Sequence, residues 1–322
     1  MLRANQAVRL GLRAASRNAE LSFAKALINQ GGNLIALLPI ALAAVLVAAL
    51  ARGDALRSAL LAARALAGLR WPMLGGIAAA LGIAFAASML FWGGAIPLLA
   101  ADAELNRRPP PGNFALLVSR GAARTLVAGV VGWGISILFT LACDAAVIFA
   151  TPALLLRPSM GLFAAAALTG AIAVAGTFLL DVLARLTMVR AAAFGDSATV
   201  AFAKAASLLG ARLGASAVIT VVFAGLELIV GAAAASLAGL LSAGSSSPRD
   251  QVLALAPHAA IALAGAAIFG WLEVGRMGAL AALAADTEGL IAPEAPPEPP
   301  PSAELVVEAL PADEVTSRSG AS

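Results

Sequence analysis

In 322 residues the chain has one cysteine and one histidine. A single thiol, Cys143, excludes an intrachain disulfide, and this pair leaves too few ligands for a multi-ligand zinc site or an iron–sulfur cluster. Charge is scarce as well. Only 12% of residues are Asp, Glu, Lys or Arg, against about 25% in a typical soluble domain. Apolar residues make up 61%, and mean hydropathy is +0.93. A water-soluble fold of this size would lack the polar sequence to cover its own surface, so the membrane class remains. No Gly-rich phosphate loop, nucleophile elbow or His-Glu-x-x-His helix is present. The sequence therefore offers no catalytic motif, metal site or cofactor fingerprint, and reads as non-enzymatic.

The net charge of +3 averages two unlike parts. From Asp286 onward there are eight acids and one base, Arg318, which leaves 20 bases and 10 acids in residues 1–285. The bases lie between apolar runs rather than clustered with aromatics, which argues against nucleic acid as a partner. Flanking bases of this kind suit a lipid bilayer with anionic headgroups.

A helix needs about 20 apolar residues to cross the hydrocarbon core. Six runs qualify: Asn33 to Ala51, Met73 to Ala101, Leu126 to Ala150, Met160 to Leu183, Leu213 to Leu241 and Val252 to Ala285. The expected fold is all-α: a polytopic bundle of six transmembrane helices over 33–285. A basic amphipathic interfacial helix precedes it over 1–32. A disordered, acidic, Pro-rich cytoplasmic tail follows over 286–322. The Arg-rich N-terminus also fits a mitochondrial transit peptide, but the Ala, Gly and Arg bias favours a bacterial cytoplasmic (inner) membrane protein. With both termini inside, 13 Lys and Arg fall on the inner side and 6 on the outer, as the positive-inside rule requires. Four of the outer six (Arg52, Arg57, Arg64 and Arg70) precede the second span and read as an amphipathic helix on the outer surface. A re-entrant first span would weaken the asymmetry.

Two short segments resemble each other. Ser22-Phe23-Ala24-Lys25-Ala26 and Ala201-Phe202-Ala203-Lys204-Ala205 precede Gly31, Leu34 and Gly210, Leu213 at equal offsets, with a weaker echo over Phe114 to Arg124. This predicts three units of interfacial helix plus hairpin, or coincidence in an Ala-rich chain. Gly129, Gly132, Gly134, Gly225 and Gly231, and the pair Gly210–Gly214, are the expected close-packing positions between helices.

Ionisable groups inside the spans carry the functional information, because a charge at mid-bilayer costs about 2.5–3.5 kcal/mol and needs a partner or water. They are Asp144, Glu227, Glu273 and Arg276, with Glu273 and Arg276 three apart on one helical face. Asp181 and Arg185, four apart, are expected as an ion pair at the cytoplasmic end. Two readings fit: a polar clasp that fixes packing, or a proton or cation pathway using Asp144, Glu227 and Glu273 in succession. His258, after Pro257, is expected at the interface, with gating as the alternative.

The six spans, the basic stretches before alternate spans, and the run Asp181-Val-Leu-Ala-Arg185 through Arg190 to Phe202-Ala-Lys204 carry a resemblance. They resemble poorly characterised bacterial six-helix integral membrane proteins related to the glycerophosphoryl diester phosphodiesterase membrane domain. The resemblance implies an inner-membrane helical bundle; no phosphodiesterase domain accompanies it here. The leading expectation is a scaffold or accessory subunit whose tail is available to a cytoplasmic protein partner; Leu305-Val306-Val307 is either a docking segment or, as the composition favours, part of a plain solvated tail. A small-solute or ion transporter using the buried carboxylates is the alternative, and a lipid-modifying enzyme the third.

Overall fold

The computed structural model describes residues 2–50, 55–105, 114–156, 160–243 and 248–291; in α2 beyond Leu37 and in most of α3 before Leu74 only the backbone is described. Met1–Ile291 forms one compact unit. Of the tail expected as disordered over 286–322, the first residues are ordered: Asp286 and Thr287 close the last turn of α8, and Asp286 and Glu288 are ion-paired with Arg212 and Arg190; the chain beyond Ile291 lies outside the described residues. Among the described residues every regular element is a helix: α1 (Ala4–Arg17), α2 (Ala19–Leu50), α3 (Ala55–Leu105), α4 (Phe114–Leu156), α5 (Met160–Ala193), α6 (Ala198–Ala211), α7 (Leu213–Ala243) and α8 (Pro248–Thr287).

Among the described residues, five helical stretches are long and apolar enough to cross a bilayer: Leu74–Leu105, Phe114–Ile148, Phe163–Ala193, Leu213–Ser242 and Ala256–Thr287. They match the second to sixth expected spans, and give the chain the architecture of a multi-pass membrane protein. The first expected span falls on α2, whose side chains are described only in part. Large apolar side chains such as Leu138, Ile148, Val174 and Leu228 are exposed around the bundle, where lipid tails replace water as solvent.

The second half of α8 is the axis of the unit. Leu272, Val274, Met277 and every residue from Ala279 to Ala285 are fully or almost fully buried, and α1, α2, α3, α5 and α7 all pack on this helix. The sequence explains this directly. From Gly275 to Ala285 most residues are Gly or Ala and only Arg276 is charged, so the helix is narrow enough for neighbours on every side.

Three helix boundaries differ from the sequence reading. The N-terminal segment is not one helix, because it breaks at Asn18, where the backbone leaves helical geometry. The first piece, α1, buries Ala7, Gly11, Ala14 and Ala15, small residues that form one face and let its backbone meet Gly275 and Ala279 of α8 at Gly11. The arginine-bearing stretch before the second span is not a separate helix, since α3 runs unbroken for 51 residues through Pro72 and Pro97. The fourth span does not stop at Leu183: α5 continues to Ala193.

The repeated segments occupy different settings. Both α1 and α6 have 14 residues, and each is joined to a long helix by one non-helical residue, Asn18 or Arg212. Ser22–Ala26 follows its break, whereas Ala201–Ala205 precedes its own. Lys25 is 3% exposed while Lys204 is 49% exposed, so the two lysines are not structural equivalents.

Glycine placement is also redistributed. Gly132 lies against the backbone of Ala184, and Gly129 against Met89, as close packing requires. Gly134, Gly210, Gly214 and Gly225 have open space where a Cβ would stand, and Gly231 meets only Phe269 at an ordinary 3.6 Å. The tight crossings are instead at Gly11 on α8, Gly93 against Gly121 and Ala122 between α3 and α4, and Gly270 against Ser22 and Ala26 of α2.

Candidate functional site: a charged cluster between the helices

Six ionisable groups from four helices form one cluster beside α8. Three are bases, Lys25, Arg185 and Arg276, and three are acids, Asp181, Glu227 and Glu273. Arg185 Nε donates to Asp181 Oδ2 at 3.0 Å across one turn of α5. The same oxygen accepts from Arg276 Nη2 of α8 in a short contact. Asp181 therefore serves two guanidinium groups, and the face of Trp133 on α4 lies 5.5 Å from Arg185 Cζ. The pair expected at the cytoplasmic end is formed, but α5 runs eight residues past Arg185, and its carboxylate is shared with the deep base Arg276.

Glu273 and Arg276, although three apart, take different partners. Glu273 Oε1 lies 3.3 Å from Lys25 Nζ of α2, and Asn29 Nδ2 donates to Glu273 Oε2 at 3.0 Å. Lys25 Nζ also donates to Ser88 Oγ of α3 at 2.7 Å and sits 5.4 Å from the Trp92 ring. A buried ammonium is tolerable only when so compensated. Lys25 was counted among the flanking bases in the sequence; the signal that marked it otherwise was Asn29-Gln30 and Asn33 continuing a polar stripe into α2.

Glu227 of α7 makes no direct hydrogen bond or ion pair with a described residue. With Asn29, Gln30, Asn33, Arg185 and Glu273 it lines a recess of about 330 Å³, to which Ala266 and Phe269 add the apolar part of the lining. Polar side chains dominate that wall in a bundle otherwise faced with apolar ones. With all six groups ionised the cluster carries no net charge.

Asp144 stands apart from this cluster. It is exposed and lines a groove of about 540 Å³ between α4 and α5, which reaches Asp181 at its other end. His258 bridges two helices: one ring nitrogen is 2.6 Å from the Ala254 carbonyl, and Nε2 is 3.2 Å from the Ala238 carbonyl and 3.1 Å from Ser242 Oγ of α7. No group of three or more His, Cys, Asp or Glu side chains able to hold a metal occurs among the described residues.

A second polar lattice lies where the chain starts and α8 ends. The Leu2 backbone N–H donates to Asp286 Oδ2 at 2.8 Å, and Arg212 reaches the Leu2 carbonyl at 2.6 Å and Asp286 at 3.3 Å. Arg190, 4% exposed, pairs with Asp196 at 3.0 Å and Glu288 at 2.5 Å, and Lys204 joins Asp196 at 2.9 Å. Asp102, buried at the end of α3, accepts from Arg17 at 3.1 Å and from Asn18 Nδ2 at 3.2 Å, which pins the α1–α2 break. The sequence reading missed this lattice, because its members were counted by side of the membrane and not paired.

No protein-family model, curated protein or solved structure matches this chain.

Proposed function

We propose that this chain is an integral membrane protein of the solute- or cation-transporter class, with Glu227 as the exchanging group of its recess. The observation that carries the reading is the polar recess of about 330 Å³ with a carboxylate that no side chain pairs. Such a group needs a solute, a cation, a proton or water. In this reading α2 supplies a sixth span, both termini face the cytoplasm, and the membrane is the bacterial cytoplasmic one. Asp144 and Glu273 are then neighbouring stations: Glu273 borders the same recess, and Asp144 the groove leading to Asp181.

The scaffold reading has its own support. Five of the six cluster charges pair with one another, as a clasp between helices would require. In that reading the segment from Asp286 on recruits a cytoplasmic protein partner.

Proteoliposomes enclosing a pH-sensitive dye separate the two under imposed pH and sodium gradients. The transporter reading expects wild-type protein to move protons faster than protein-free vesicles, and Glu227→Gln to return to that baseline. Equal rates for wild type, Glu227→Gln and empty vesicles would leave the scaffold reading in place.

A further inference from the structure

Two unlike charges line the Glu227 recess without meeting each other. Glu227, on α7, has no hydrogen-bond or ion-pair partner among the described residues. Arg185, on α5, lines the same recess, and its Nε donates to Asp181 Oδ2 at 3.0 Å. That carboxylate also serves Arg276, so these three groups together carry one positive charge in excess. Of the two arginines, Arg185 is the one that lines the recess. Glu273, the other acid of the lining, is matched by Lys25 at 3.3 Å. The recess therefore holds an uncompensated negative charge on one helix and an uncompensated positive charge on another.

A simple ion fits this arrangement poorly. A cation drawn to Glu227 leaves the excess at Arg185, and an anion drawn to Arg185 leaves Glu227 unpaired. Either way a partly buried charge keeps no partner, which is costly away from water. Only a ligand carrying both signs compensates the two walls at once. The remaining lining suits a molecule as well. Asn29, Gln30 and Asn33 of α2 each offer a donor and an acceptor, and Ala266 and Phe269 of α8 add apolar surface. From Ala266 to Glu273 the lining extends about 10 Å along α8. The volume, about 330 Å³, lies at the small end of the range for small-molecule sites, about 300–1,000 Å³.

We infer that the recess binds a zwitterion, with its ammonium group on Glu227 and its carboxylate or phosphate on Arg185. This rests on the transporter reading of the same recess and names the class of solute. The planar guanidinium presents donors besides the Nε that Asp181 occupies, and these suit an oxyanion. The amides of α2 meet the polar atoms between the two charged ends. A free amino acid and the phosphoethanolamine headgroup of a lipid share this chemistry.

The test uses the full chain in nanodiscs of phosphatidylglycerol, a lipid with no amine. Calorimetry compares glycine, 4-aminobutyrate and phosphoethanolamine with ethylamine, acetate and sodium chloride. At least one zwitterion is expected to bind about tenfold or more tighter than ethylamine or acetate, because its second contact forms within one molecule. Glu227→Gln and Arg185→Lys should each bring that zwitterion down to the level of the single-charge controls. The first variant breaks no direct pair, and the second keeps a positive charge beside Asp181 while removing the fork of donors. Phosphatidylethanolamine added to the discs separates the sources: a lipid retained by wild type and lost from Glu227→Gln, with free zwitterions inert, assigns the ligand to a headgroup. The inference is overturned if no zwitterion, free or lipid-borne, binds more tightly than the controls, or if wild type and Glu227→Gln bind it equally. Proton flux is read separately. Flux that needs Glu227, with no zwitterion bound, removes this inference and leaves the transporter reading standing; zwitterion binding without flux keeps the site and removes transport.

Discussion

At the scale of residues, the cluster separates groups that hold the fold from the one that is free to act. Asp181 is the hinge of the arrangement, since one carboxylate compensates Arg185 and Arg276 together. Asp181→Asn should destabilise the protein by about 3–5 kcal/mol, the usual cost of leaving a buried charge unpaired. Glu227→Gln, which breaks no direct pair, should stay within about 1 kcal/mol of wild type. Denaturation in mild detergent measures both, and an equal loss for the two would mean that Glu227 is part of the clasp. Much of this was legible from residue type and depth: Glu227, Glu273, Arg276 and the Asp181–Arg185 spacing all stand out in an apolar chain. Their pairing was not. Helical spacing brings Glu273 beside Arg276, but the tertiary fold offers Glu273 a lysine and Arg276 an aspartate from other helices. Lys25 looked like a topogenic base, and only packing of α2 against α3 and α8 shows it as a buried partner.

At the scale of elements, small residues decide how closely the helices approach, and their effect depends on where they cross. A Cβ on Gly11 would meet the Gly275 carbonyl, with Ala279 N at 2.7 Å, and both are backbone atoms that cannot step aside. Gly11→Val should therefore push α1 off α8 and cost about 1–3 kcal/mol. Gly134, inside α4 with nothing within 4 Å of a Cβ, should accept alanine with a gain of up to about 1 kcal/mol. Thermal shifts of the two variants in one detergent test this, and a neutral Gly11→Val would remove the close α1–α8 crossing. The existence of the long helices was plain from apolar run length, because a continuous apolar run of about 20 residues matches the hydrocarbon core only as a helix. Their ends were not, since Pro72 enters α3 without stopping it and α5 carries its helix past two charged residues. The crossings were misassigned because glycine abundance in a sequence does not say which face meets a neighbour.

At the scale of the molecule, the start of the chain and the end of α8 share one end of the bundle, joined by Leu2, Arg212 and Asp286. In the proposed orientation, which the count of Lys and Arg supports, that end faces the cytoplasm. Cysteines introduced one at a time between Leu105 and Phe114, in a Cys143→Ser background, should then resist an impermeant maleimide applied outside intact cells. Efficient external labelling would reverse the orientation. The shared end also ties α6, α5 and α8 through Arg190, Asp196 and Glu288, so the base of the bundle is held while the Glu227 recess opens farther along α7 and α8. The central claim is that this recess receives a small polar solute or cation. Extraction in native lipid particles, followed by mass spectrometry of whatever copurifies stoichiometrically, tests it most directly. The account predicts a small polar molecule on wild-type protein that is lost in Glu227→Gln. A protein partner that departs when residues 286–322 are deleted, with no small molecule bound, would contradict it.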